Sequence, residues 1–247
     1  MTSPSHDESS AARIDQMRRD YTLGGLRKQD VSTDPMVQFE LWFRQATGRN
    51  TVDSGATGES RSPTAGLPEW VEPNAMTLST ASPAGEVTNR TVLLKGITDR
   101  HFVFYTSYES TKGRQIAANP LVSLCFFWPH LQRQVLVSGR AEQTDRESSA
   151  AYFHSRPRDS QLGAHASSQS STIESREVLE QRMEELAARY PVGTTVPLPE
   201  RWGGYAVEPS KIEFWQGRTN RLHDRIVYTR PFDSPSETPW EISRLSP

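Results

Sequence analysis

The chain has 247 residues and a mass of 27.8 kDa, with 34% apolar residues and a formal net charge of −2. This size fits one large domain, and six Trp, seven Tyr and nine Phe suffice for a core. A near-neutral charge argues against nucleic acid as the main partner, and the lone Cys125 excludes an intrachain disulfide or a cysteine-based zinc site. The most apolar stretch, 122–128, is too short to span a bilayer.

In chain order, residues 1–10 read as a disordered tail with no secretory signal, so a cytoplasmic location is expected. Residues 11–247 are expected to form a single domain. Ile14, Met17 and Tyr21 lie at helical spacing over 11–21. Asp34-Pro35 is an N-cap and first-turn pair opening an amphipathic helix that carries Met36, Phe39, Trp42, Phe43 and Ala46. Residues 47–73 hold 14 Gly, Ser, Thr or Pro without periodicity and read as a surface insertion. Short strands rich in Val, Leu, Phe and Thr follow over 75–80, 88–95, 101–106, 121–128 and 134–142, with turn signals between them. A short helix over 112–118 stops at Asn119-Pro120. Leu179, Met183, Leu186 and Tyr190 predict a helix over 173–190, with Ser171 and Glu174 as a capping box. Strands over 202–207, 211–216 and 225–230 and a tail over 240–245 complete a mainly β chain with flanking helices. The spacing points to an antiparallel barrel or sandwich.

Three segments carry chemistry. Arg90 and Lys95 sit at the ends of RTVLLK, where strand alternation puts them on opposite faces unless a bulge intervenes; two solvated strand ends are the plain explanation. Tyr152, Arg156 and Ser160 recur every fourth residue, and Pro157 makes a helix end running into a turn the better fit. A phenol, a guanidinium and a hydroxyl there suit a phosphate, or simply form a polar surface turn. Residues 213–225 pack Trp215, three Arg and His223 into one stretch, either a solvated hairpin loop or the lining for an anionic aromatic ligand. GxGxxG, Walker and GxSxG motifs are absent, and the six His show no metal-ligand spacing. The residues alone lead as far as an anion-binding β-barrel.

These segments resemble the pyridoxamine 5′-phosphate oxidase family. RTVLLK, QSS at 169–171, YFHSRPRDSQLGA, EFWQG and RLHDR match its motifs in order, and the match runs from about residue 17 to 247, RRDYTLGGLR and ISRLSP included. The 47–73 insertion is the main unmatched part. The resemblance implies an FMN-binding split β-barrel, homodimeric, with FMN at the subunit interface. It further implies oxidation of pyridoxamine or pyridoxine 5′-phosphate to pyridoxal 5′-phosphate, with O2 as acceptor and H2O2 as product. By motif, Arg90, Thr91, Val92, Leu93, Leu94, Lys95, Tyr105, Thr106, Thr111 and Lys112 would bind FMN, as would Gln134, Gln169, Ser170, Trp215 and Arg225, some of them from the second subunit. Lys95, Tyr152, Arg156 and Ser160 would hold the substrate phosphate. Arg221 and His223 match the catalytic pair over the pyridine ring, and Arg18 and Tyr21 match a segment that folds over the site. No metal is implied.

One departure stands out. The family reads Ser-Arg-Lys where this chain has Ser110-Thr111-Lys112, so one cation is missing. A charged hydrogen bond contributes about 1.5–3 kcal/mol, so its loss implies FMN binding weaker by about tenfold or more, unless Arg114 compensates. The alternative reading is a split-barrel protein that binds FMN or pyridoxal phosphate without turnover.

Overall fold

The structure, a computed structural model, describes residues 20–48, 67–68, 70–235 and 237–247. Arg18 and almost all of the helix expected over 11–21 lie outside these residues, as does most of the 47–73 segment.

Helix α1 (Pro35–Ala46) begins where Asp34 accepts the Met36 N–H at 2.9 Å. The same carboxylate receives two hydrogen bonds from the Arg100 guanidinium, at 2.7 and 2.8 Å, which hold its pKa below the ordinary value. Arg100 sits at the tip of a two-residue turn in which Asp99 and Arg100 both have positive φ, 49° and 69°. That left-handed pair matches the twist of the strands it joins, β3 (Gly96–Thr98) and β4 (His101–Ser107).

The other strands are β1 (Ala75–Ala81), β2 (Val87–Leu93), β5 (Leu121–Trp128), β6 (Arg133–Gln143), β7 (Trp202–Gln216), β8 (Asp224–Thr229) and β9 (Glu241–Leu245). The nine strands form one antiparallel sheet in the order β2-β1-β5-β6-β7-β4-β3, with β8 on β7 and β9 on β8. It curls into a split β-barrel. Alternation decides its inner face: Val122, Leu124, Phe126 and Trp128 of β5 meet Val135 and Val137 of β6 and Ile212 and Phe214 of β7. Helix α1 covers this core, with Phe39 edge-on to Phe102 at 4.9 Å and Trp42 edge-on to Phe214 at 5.2 Å.

The two strands expected over 202–207 and 211–216 are one. Pro209 and Ser210 look like a break, but the β6–β7 register shifts between Ser138 and Gly139, and this bulge absorbs them. Gly139 is required there, because a Cβ would collide with the Glu208 carbonyl. The first half of β7 pairs with β4 and the second half with β8.

Helix α2 (Thr111–Ala118) follows β4, capped by Ser110, which accepts the Gly113 N–H at 3.2 Å. After β6 come α3 (Arg146–Ser155), α4 (Arg158–Ala166) and α5 (Glu177–Arg189). Arg156 and Pro157 separate α3 from α4, as the proline demands. The capping box expected at Ser171 and Glu174 is not formed: α5 starts later, at Glu177, with Arg176 at its N-cap. These helices enclose a second apolar cluster of Phe153, Leu162, Val196 and Trp202 against the β4–β7 edge. Among the described residues no helix is long and apolar enough to cross a membrane.

Candidate active site

The sheet edge, the N-terminus of α2 and the α3–α4 corner bound a cleft of about 880 Å³. Strand β2 supplies Arg90, Thr91, Val92 and Leu93, and β4 supplies Tyr105 and Thr106. The alternation that separated Arg90 from Lys95 does not apply, because β2 ends at Leu93. Lys95 lies in the link to β3, its N–H bonded to the Val103 carbonyl at 2.8 Å, and both cations line the same cleft. Leu94 turns the other way, into the core.

Four cations therefore meet here: Arg90, Lys95, Lys112 and Arg156. None has a carboxylate within ion-pair distance among the described residues. Arg90 donates to the Leu78 carbonyl at 3.1 Å, to Thr80 at 2.7 Å and to Thr88. Lys112 is 7% exposed, and its Nζ reaches Thr106, Ser110 and Gln169 at 3.2–3.3 Å, all neutral. Burial, followed by the repulsion of Arg90, pushes its pKa down to about 8. Burial also lowers Arg156, whose Nη1 is buried without a hydrogen-bond partner. Lys112 is buried and Arg90 and Arg156 are half-buried without counter-charges, which is costly for a fold, while Lys95 stands exposed at the rim, so the arrangement suits an anion from outside. The first turn of α2 adds backbone donors, with Ser170 (φ 71°) accepting the Thr111 N–H at 3.3 Å. Thr111 lines the cleft. Arg114 does not: its guanidinium turns back to the Glu109 carbonyl and does not replace the missing cation. Tyr152 and Ser160 join from the helices, and Tyr152 stacks on Tyr105 at 3.9 Å and 17°.

The other predicted residues gather elsewhere. Gln134, Trp215 and Arg225 are in register across β6, β7 and β8. Trp215 lies 4.6 Å from His223 between ring centroids, and Tyr21 packs edge-on to both at 5.8 Å. His223 Nδ1 accepts the Arg218 N–H at 3.1 Å, which puts the proton of the neutral ring on Nε2. Partial burial and the Arg221 charge lower its pKa. Arg221 is exposed, on a turn where it and Asn220 both have positive φ. Arg225 is fixed by a two-point ion pair with buried Glu213, at 2.7 and 3.1 Å. The segment carrying Tyr21 is strapped down by bonds from Thr22 N–H to Gln132, Leu26 N–H to Asp224 and Arg218 to the Gly24 carbonyl, at 2.8–2.9 Å. Tyr21 needs a glycine beneath it, since a Cβ on Gly217 would fall 2.7 Å from its ring.

None of Tyr21, Gln134, Trp215, Arg221, His223 or Arg225 lines the cleft. The predicted residues thus form two groups: one in the cleft, the other at the β7–β8 end. Trp202, in the cleft wall, and Glu213, behind Arg225, were not singled out from the sequence. Each is one residue of a common type, and only the fold shows what it touches.

A split barrel with a cation-rich cleft defines the class: a protein with a built anion site. The pyridoxamine 5′-phosphate oxidase profile matches residues 67–190, and that of the pyridoxine 5′-phosphate oxidase C-terminal dimerisation region matches 202–247. A pyridoxine/pyridoxamine 5′-phosphate oxidase of Rhodopirellula baltica is 54% identical over 95% of this chain and 96% of its own. One of Paraburkholderia xenovorans is 49% identical over 94% and 98%. Among solved structures, PhzG from Burkholderia lata, in complex with tetrahydrophenazine-1-carboxylic acid, superposes with a TM-score of 0.75 at 26% identity, over 91% of this chain and 99% of that one. A pyridoxamine 5′-phosphate oxidase-related FMN-binding protein of Nostoc punctiforme shares the fold, with a TM-score of 0.57 at 16% identity over 72% and 90%. The chain belongs to the pyridoxamine 5′-phosphate oxidase family, a family of FMN-binding oxidoreductases.

Proposed function

We propose that this protein oxidises pyridoxamine 5′-phosphate and pyridoxine 5′-phosphate to pyridoxal 5′-phosphate. The observation that carries the reading is the set of four cations around one cleft without a carboxylate among the described residues. FMN and substrate each bring a phosphate dianion, and the cleft has the charge for both. Arg90, Lys112 and the start of α2 hold the FMN phosphate, with Thr91, Val92, Leu93, Thr106, Thr111, Gln169 and Ser170 around it. Lys95, Tyr152, Arg156 and Ser160 hold the substrate phosphate. When bound, FMN would supply the redox chemistry: acceptance of the hydride released from substrate C4′, with O2 as the final two-electron acceptor and H2O2 as its product. The amine leaves as an imine that water hydrolyses to aldehyde and ammonia; the alcohol gives the aldehyde directly.

Gln134, Trp215, Arg221, His223 and Arg225 complete the site from a second copy of the chain, across an interface that the dimerisation-region match supports. Arg221 orients the substrate ring and His223, its pKa lowered by partial burial and the Arg221 charge, assists proton movement at the reacting carbon. Tyr21 belongs to a strap over this end; Arg18, expected beside it, lies outside the described residues. The single domain over 11–247 and the surface position of the 47–73 insertion belong to the same reading.

Two results are expected for the cofactor. Lys112 is charged below its pKa of about 8 and neutral above it. FMN favours the charged form, so affinity is full below that pH and falls by up to about tenfold per unit above it. Fluorescence titration of the apoprotein with FMN at pH 7 and pH 9.5 measures this; a flat profile contradicts it. Thr111→Arg restores the missing cation and is expected to tighten FMN binding about tenfold in the same titration.

The reading itself is tested by adding pyridoxine 5′-phosphate to the yellow holoprotein without oxygen. Bleaching of the flavin band, reversed by air with one peroxide per aldehyde, is expected. Binding without bleaching marks a carrier and overturns the oxidase reading.

A further inference from the structure

The Arg156 side chain makes no hydrogen bond and no ion pair among the described residues. Aromatic faces hold it instead. Its guanidinium carbon lies 4.8 Å from the centroid of the Trp202 ring and 5.8 Å from that of Phe153. Trp202 is 7% exposed and opens β7 in the cleft wall. Its ring is parallel to Tyr152 within 5° and to Tyr105 within 12°, at 6.2 and 5.6 Å, and those two stack on each other. Its backbone is fixed as well: the carbonyl accepts from Arg146 at 2.8 Å and the N–H donates to Pro199 at 3.2 Å.

A carboxylate would place a guanidinium equally well, but it would cancel the charge and occupy the donors. An indole face attracts the cation through its quadrupole and uses no N–H. No guanidinium donor is taken up by a protein group among the described residues, Nη1 being buried and unpaired.

We infer that Trp202 is a positioning residue that presents Arg156 to the substrate phosphate and so sets the preference for phosphorylated over unphosphorylated ring ligands. This rests on the function proposed above. The chemistry fits no other partner as well, since the cleft offers Arg156 neither an acid nor a carbonyl.

Trp202→Met keeps apolar bulk and removes the π face. In the holoprotein it is expected to weaken pyridoxal 5′-phosphate binding about tenfold by calorimetry, and pyridoxal binding less than about twofold. KM for pyridoxine 5′-phosphate should rise by the same factor while kcat holds. Trp202→Phe keeps a smaller face and should lose only about two- to threefold, again for the phosphorylated ligand alone. That variant carries the test if the Met protein does not fold. In an Arg156→Ala background, Trp202→Met should change nothing further. Equal losses for pyridoxal and its phosphate, or a full effect without Arg156, would overturn the assignment. Binding is read without turnover, so a wild-type protein that binds but does not oxidise would sink the oxidase reading and leave this test standing.

Discussion

Replacing Arg156 by alanine is expected to lower kcat/KM for pyridoxine 5′-phosphate by about two to three orders of magnitude, the usual cost of truncating one partner of a desolvated charge pair. The loss should fall mainly in KM, because the phosphate takes no part in the bond changes at C4′ and binds alike in ground and transition states. Unphosphorylated pyridoxine should react at the same rate with both proteins. The fold should hardly notice. The Arg156 side chain makes no hydrogen bond or ion pair among the described residues, so truncating it strands no buried partner. Thermal unfolding of the variant should shift by a few degrees at most, about 1 kcal/mol or less. Steady-state kinetics with both substrates, beside one unfolding scan, check all three expectations. An equal loss for pyridoxine would remove Arg156 from the phosphate site.

Arg90→Met is expected to weaken FMN binding by about a hundredfold. Arg90 has a second effect on the cleft, because its charge helps to hold the Lys112 pKa down. Removing it should therefore move the break in the pH profile of FMN binding upward from about 8. The sign follows from the like charges: without Arg90, the Lys112 ammonium is less repelled and keeps its proton to higher pH. Weaker binding with an unmoved break would mean that the two cations do not share one anion. This variant does leave the Thr80 hydroxyl and the Leu78 carbonyl without a donor, so some loss of stability accompanies it.

Much of this was legible in the sequence, for physical reasons that differ by segment. Asp34-Pro35 announced α1 because the cap and the fixed proline φ act locally. The β5 strand and the turn before β4 were equally local signals. The stretch around Pro209 and Ser210 reads as two strands, since a proline interrupts a strand unless that strand can bulge there, and the Gly139 that makes room for the bulge lies seventy residues away. Arg90 and Lys95 misled by parity, because nothing in RTVLLK shows that the strand stops at Leu93. The grouping of Tyr152, Arg156 and Ser160 in one cleft was visible through their period, even across the break at Pro157. Trp202 was not, because its partners stand on β4 and α3 and are brought to it only by the packing of the second apolar cluster. The division of the predicted residues into two groups could not be read from the chain either, as order along a sequence carries no information about which copy supplies which side chain.

On the function proposed above, the cleft of one chain is completed by the Trp215–His223 end of another. Mixing two inactive variants tests it. Arg156→Ala damages the cleft and Arg221→Ala damages the opposite end, so each homodimer should be nearly inactive. After the two proteins are unfolded together and refolded, half of the dimers are mixed, and each mixed dimer holds one intact site and one doubly damaged site. Activity should return to about one quarter of wild type in the equimolar mixture. If one chain supplied both groups, every site would keep one lesion. Activity that stays at the level of the separate variants would contradict the shared site.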